Sequence, residues 1–183
     1  MIPSIDVGSR IDVKGLDAAP TRGSVIVFRA PEAPDREYVK RVVGLPGDTI
    51  SVNGTEIVLN GTPIPRCRVG EWHYAEADRK EHAGEIWLES LAGMKWLVFH
   101  DAAASAGPLG PWTVAPGEVF VLGDNRENSH DSRWWFGGKG GGLALRFIVG
   151  AAPAVIAPTL PKGADSLAAA LQACASALAG SGG

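Results

Sequence analysis

The chain is poor in several things that would otherwise guide a reading. Its 183 residues include only two cysteines, Cys67 and Cys174, and four scattered histidines. That set has no convincing metal-ligand spacing, so no metal and no other cofactor is expected. Two cysteines permit one disulfide, but sequence alone does not bring the thiols within reach, and two unpaired structural cysteines are the expectation. Excess positive charge is also missing. Lys and Arg number 17 against 20 Asp and Glu, for a net charge of -3, which leaves no electrostatic footprint for nucleic acid. Long apolar runs are absent. The longest, residues 147–160, is interrupted by Gly150, Pro153 and Pro158 and is too short to cross a bilayer as a helix. The first residues, Met1-Ile2-Pro3-Ser4-Ile5-Asp6, have neither the basic nor the apolar stretch of a secretory signal.

What is present points to β structure. The length fits one domain, or one domain with an insertion, and 45% hydrophobic residues are enough for a real core. The chain carries 24 Gly and 13 Pro between short apolar runs, which favours many short strands with tight turns. Residues 1–15 read as a short strand ending in a Gly turn. Ser24-Val25-Ile26-Val27-Phe28 and residues 37–43 read as strands. The segment from Thr49 to Ile64 reads as three strands joined at Asn53-Gly54 and Asn60-Gly61, dipeptides suited to type I′ hairpin turns. Both Asn-Gly-Thr triplets also fit a glycosylation acceptor, but the turn reading is preferred. Two strands, 85–89 and 95–99, are expected around Ala92-Gly93, followed by a small-residue loop over 102–111. Strand character returns over 113–122 and again over 143–156. An Ala-rich tail could form a helix from Asp165, with Asp165 as N-cap, that packs weakly or frays.

Two segments carry chemistry. Residues 123–133 read Gly-Asp-Asn-Arg-Glu-Asn-Ser-His-Asp-Ser-Arg, a dense polar block directly after the apolar Val119-Phe120-Val121-Leu122. The other is Tyr38-Val39-Lys40-Arg41-Val42-Val43-Gly44-Leu45-Pro46-Gly47-Asp48. A lysine removed from water in such an apolar strand loses preference for its charged form, and a neutral lysine can act as a general base. A lone lysine more commonly points to solvent, so the context has to decide.

Both segments resemble motifs of the type I signal peptidases, membrane-bound serine proteases that remove signal peptides from exported proteins. Ser24 to Arg29 resembles a third motif, although Arg22-Gly23-Ser24 stands where Arg-Gly-Asp is usual. The resemblance covers roughly residues 1–136 in order. It implies a mostly-β fold of coiled antiparallel sheets with a smaller inserted β element. The composition along the chain, read with it, divides the chain into a catalytic core over 1–66 and 113–158, an insertion over 67–112 and a tail over 159–183. It also implies a serine nucleophile activated by a lysine, here Lys40. Ser129 matches the serine that hydrogen-bonds the lysine amine, and Asp131 and Arg133 match a supporting charged pair. Asp124, Asn125 and Arg126 match the turn that brings Ser129 to Lys40. The substrate groove falls on Tyr38, Met1, Pro3 and Val121, and His130 receives no role.

The resemblance further implies preprotein substrates with small residues before the cut, typically Ala-X-Ala. It implies membrane association, with the catalytic domain on the outer face of a bacterial cytoplasmic membrane. One departure bears on activity. The family's nucleophile motif reads Ser-X-Ser-Met-X-Pro-Thr, and Met1-Ile2-Pro3-Ser4 matches its end, with Gly8-Ser9-Arg10 resembling a following Gly-Asp-Arg. In that register the attacking serine falls one residue before Met1. The expectation is a late-called start, a truncation, or a pseudoenzyme or an enzyme that recruits Ser4 or Ser9, and a chain beginning at Met1 is expected to be inactive as a protease. Recruitment of Ser4 is disfavoured, because it would stand about 10 Å away along an extended strand. A second departure is the Gly run over 137–142, expected to be a flexible hairpin tip. A conjugation-type Ser/Lys processing peptidase and a catalytically dead peptide-binding homologue are the alternatives. A self-cleaving repressor fits less well, for want of a DNA-binding segment.

Overall fold

The computed structural model describes residues 1–5, 8–76, 80–102, 107–152 and 159–180. Twelve strands among these residues form three antiparallel sheets. The five-stranded sheet has the order β11-β10-β2-β1-β12, and the four-stranded sheet β5-β4-β3-β9. The three-stranded sheet is β6-β7-β8.

The central hairpin joins β1 (Val25–Ala30) to β2 (Ala33–Gly44), with Ile26 opposite Lys40 and Phe28 opposite Tyr38. On its other side β2 meets β10 (Glu118–Leu122), but only over Arg41 to Gly44. There both sheet faces are covered. Val42 packs with Ile26, Phe28, Val119, Val121, Trp135 and Leu143. Val43 faces the opposite way, into Ile50, Val52, Ile57, Val114, Phe120 and Leu122. Residues 8–13 form no strand; Lys14 makes a single antiparallel bridge to Ala151.

The strands β3 (Thr49–Asn53), β4 (Glu56–Leu59) and β5 (Thr62–Pro63) are the meander that the Asn-Gly dipeptides predict. Asn60 and Gly61 both have positive φ between the paired Leu59 and Thr62, the type I′ geometry. The first turn is offset by one. Asn53 pairs with Glu56, so Gly54 at φ 60 is the first loop residue, as a type II′ turn requires.

The three-stranded sheet, in the segment expected to be an insertion, is built from β6 (Arg66–Ala75), β7 (Glu81–Leu91) and β8 (Met94–Asp101). Past that sheet, β9 (Leu109–Thr113) pairs with β3 in the four-stranded sheet. The part of the 102–111 loop at 103–106 lies outside the described residues. So do residues 153–158, at the end of the strand expected over 143–156. Within the described part that segment is β11 (Leu143–Ala144), a 3-10 turn and β12 (Ile148–Ala151).

The tail departs most from expectation. Helix α2 (Ala168–Ala177) packs on the β6–β8 sheet, with Cys174 and Leu178 buried against Val69, Ile86, Leu88, Leu97 and Phe99. Cys67 and Cys174 form a disulfide with their Cα atoms 5.5 Å apart, so the expectation of two free thiols is corrected. Asp165 caps nothing; it opens a 3-10 turn ahead of the helix. Lys95 Nζ adds a hydrogen bond of 2.9 Å to the Ala175 carbonyl. The Gly run is likewise held. After the distorted turn α1 (Trp135–Gly138), Gly140 N–H donates to Trp135 O and Gly141 N–H to Ser132 O. Trp112 Nε1 donates to Lys139 O at 2.7 Å.

Candidate active site

Lys40 projects from β2 on the same face as Val42, two residues along, where the hairpin becomes core. Burial lowers its pKa. The carboxylates of Asp131 and Asp124 work the other way without cancelling that effect, and Arg133 adds to the lowering. The amine lies 5.5 Å from the centroid of the Tyr38 ring. It opens into a cleft of about 550 Å³ lined by Tyr38, Glu127, Asn128, Ser129, His130 and Trp134. A lysine kept short of water but open to a cleft is suited to taking a proton.

The polar block forms the opposite wall. It leaves β10 at Gly123, and this glycine has a steric reason. A Cβ there would overlap the Ser129 Oγ and approach Lys40 Cδ to 3.6 Å, so the missing side chain is what lets Ser129 and the lysine stem lie together. Asp131 is wholly buried and fixes the block's shape. It accepts 2.8 Å bonds from Arg133 Nε and Nη2, one at 2.9 Å from Gly123 N–H and one at 3.2 Å from Arg133 N–H. Burial alone would raise the Asp131 pKa. The Arg133 charge and these donors, with Ser129 beside them, outweigh it and hold the carboxyl below its usual value.

The next residues of the block each bind a different strand. Asp124 takes a bidentate pair from Arg41, at 2.9 and 2.7 Å. Asn125 Nδ2 donates to Tyr74 Oη at 2.6 Å, and the buried Arg126 pairs with Glu89. The backbone joins in: Phe99 N–H donates to Asp124 O and Arg126 N–H to Phe99 O.

The chain matches the family described as "Signal peptidase, peptidase S26" over residues 1–157. It belongs to this family. It is 35% identical over 152 residues to "Signal peptidase I" of Pseudomonas fluorescens, covering 74% of this chain and 52% of that one. It is 38% identical over 120 residues to "Signal peptidase I" of Pseudomonas aeruginosa, covering 63% of this chain and 40% of that one. The chain thus spans about half the length, or less, of these curated relatives. A crystal structure of a signal peptidase I from Enterococcus faecalis is also similar, at a TM-score of 0.46 and 24% identity, covering 73% of this chain and 97% of that one.

In this signal peptidase family member the structure brings Lys40, Tyr38 and Ser129 to one cleft, with Asp131 and Arg133 directly behind. Two expected groove residues fall elsewhere. Val121 is completely buried in the core beside Val42, because β10 pairs with β2 at that point. Pro3 lines a separate hollow with Ser4, Arg10 and Leu160. Met1 does approach the site: its nitrogen is buried, and the Lys40 charge adds to the burial that lowers its pKa. The expected hydrogen bond between Ser129 and the lysine amine is not made. The Ser129 hydroxyl is buried without a hydrogen bond of good geometry, and the amine sits over Tyr38.

Sequence reasoning missed several residues of the site. Arg41 had a signal, since it alternates with Val39 and Val43 on the face of β2 opposite Lys40. It also donates to Gly23 O at 2.8 Å and lies 4.9 Å from the Trp96 ring. Glu89 had none: it follows the buried Leu88 directly, and nothing in its neighbourhood marks it as buried. His130 was given no role, yet it stands on the cleft rim, 2.9 Å from Glu32.

Proposed function

We propose that this chain carries the catalytic domain of a signal peptidase I-like serine endopeptidase, with Lys40 as its general base. The observation that carries the reading is a buried lysine amine of lowered pKa, open to a peptide-sized cleft and backed by Ser129 and the Asp131–Arg133 pair. The attacking hydroxyl in this reading is that of a serine at the place the family's motif sets beside Met1. Two things support this: the resemblance of Met1-Ile2-Pro3-Ser4 to the end of the family's nucleophile motif, and the Met1 nitrogen within electrostatic reach of Lys40. Neutral Lys40 takes the serine proton as the oxygen attacks the scissile carbonyl. The lysine then gives that proton to the leaving amine, and the acyl-enzyme remains. Water, deprotonated by the same lysine, attacks the ester; the lysine then returns the proton to the departing serine oxygen, which releases the acid product and restores the neutral amine.

The substrates are preproteins with small residues before the cut. Because β10 pairs with β2 only from Arg41 onward, the stretch before Lys40 has no strand partner on that side among the described residues. An extended signal-peptide segment can add there by β-augmentation, alongside Tyr38. The relatives' name points to export, and the disulfide suits an oxidising compartment outside the cytoplasm. We place the domain on the outer face of a bacterial cytoplasmic membrane, with membrane association in the whole protein. Among the described residues no helix is long and apolar enough to cross a membrane.

The test is a chain extended at its N-terminus by Ser-Ala-Ser, so that a serine directly precedes Met1. It is expected to cleave a preprotein after Ala-X-Ala. Lys40→Ala in that background is expected to lower the rate by about 10²–10⁴-fold. Cleavage that survives Lys40→Ala removes the lysine from its role.

A further inference from the structure

We propose that Glu32 is a positioning residue for the substrate cleft, clamping its far wall to the hairpin that forms its near wall. The inference rests on the reading of the Lys40 cleft as a peptide-binding site. Glu32 stands in the turn between β1 and β2, at the outer end of the hairpin that bears Tyr38 and Lys40. Its carboxylate crosses to the polar wall at two points. Oε2 lies 2.9 Å from His130 Nε2. Oε1 accepts from Phe136 N–H at 2.8 Å and from Gly137 N–H at 3.4 Å. These contacts bracket Trp134, which together with His130 faces the cleft that Tyr38 lines from the other side.

The far wall needs such an anchor for a reason visible in its backbone. Phe136 has φ 57, a left-handed conformation that bulky residues rarely adopt, and glycines follow it. Other backbone conformations are open to the glycines of that segment, which follows Trp134 directly in the wall. Glu32 selects one by holding the N–H groups of Phe136 and Gly137. The bond to His130, helped by the Phe136 and Gly137 N–H groups, keeps the Glu32 carboxyl below its usual pKa, so it stays a charged acceptor. Trp112 holds the other end of the same loop through Lys139 O. Glu32 therefore acts through Trp134 and His130 and touches no reacting atom.

The test uses the chain itself and a fluorescein-labelled signal-peptide fragment containing Ala-Gln-Ala. Glu32→Ala is expected to weaken binding about tenfold, the size expected for losing one or two hydrogen bonds to a charged group. Amide exchange at Phe136 and Gly137 should accelerate in the same variant. Glu32→Gln keeps an acceptor for both N–H groups and is expected to recover most of the affinity. Peptide binding by Glu32→Ala within about twofold of the unmodified chain overturns the clamp, whatever the exchange rates do. Failure of the unmodified chain to bind the peptide overturns the peptide-binding reading instead, and the purpose of the clamp with it.

Discussion

Burial lowers the Lys40 pKa, and the same burial sets how stability answers to pH. Below its folded-state pKa the lysine is charged in both states, and the folded state bears the full cost of holding that charge away from water. Above that value the folded protein sheds the proton, while the unfolded chain keeps it up to the ordinary lysine pKa near ~10.4. The unfolded state binds more protons across this window, so stability rises with pH through it and is lost as pH falls back through the folded value. Asp131 behaves likewise on the acid side: its contribution is present above the ordinary carboxylate pKa and lost as pH falls through its lowered folded value. Lys40→Met keeps the stem and removes the charge. Its melting temperature is expected to exceed that of the unmodified chain near neutral pH, by about 2–4 °C for each kcal/mol relieved. The gain should shrink as pH approaches the lysine value. A variant that melts lower at neutral pH would mean that the charged amine is well solvated or paired in the fold.

At the scale of elements, legibility followed the regularity of the hydrophobic pattern. The meander over 49–64 was plain because each turn dipeptide supplies the positive φ its hairpin needs. The strand β6 was hidden by its own geometry. Cys67 and Val69 share one phase of the alternation and Trp72 and Tyr74 the other, because the register with β7 shifts between Arg68 and Gly70. Such a bulge flips the side-chain phase, so the period of two never persists long enough to be read. The tail had a signal that its alanines obscured. Leu167, Leu171, Cys174 and Leu178 recur at helical spacing, and all four pack at the β6–β8 sheet. The disulfide was beyond reach of the sequence, since its halves lie 107 residues apart and only the docked helix brings them together. That separation gives the bond its expected effect. Replacing Cys67 and Cys174 together by Ser should lower the unfolding free energy by about 2–5 kcal/mol, most of it through the unfolded chain. Urea unfolding of the double variant beside oxidised and reduced unmodified protein checks this. Coincident curves for all three would mean that the bond closes no constraint.

At the scale of the whole molecule, the 123–133 block joins the sheets as well as facing the cleft. Its sequence marked it as a site residue by residue, but its reach across the fold could not be read, because the partners Arg41, Tyr74, Glu89 and Phe99 lie on four different strands. The Arg126–Glu89 pair is the deepest of these links, and Trp96 Nε1 donates to the same Glu89 oxygen at 3.0 Å. The pair is not perfectly satisfied: Glu89 Oε1 and Arg126 Nη1 are buried without hydrogen-bond partners. Removing one member and removing both should therefore differ sharply. Glu89→Ala leaves a buried guanidinium without its paired carboxylate, with only the more distant charges of Asp124 and Asp131, which should cost about 3–5 kcal/mol. Replacing Glu89 and Arg126 together by Met removes both charges and both orphaned atoms while filling much of the volume. The exchange leaves the buried Trp96 Nε1 without its acceptor, so that double variant is expected about 1–3 kcal/mol below the unmodified chain, still less than the cost of removing Glu89 alone. A urea-unfolding cycle over the two single variants and the double one measures the coupling directly. Costs that simply add would show that the pair does not hold the insertion to the core, and the Phe99 and Tyr74 contacts would then carry that junction alone.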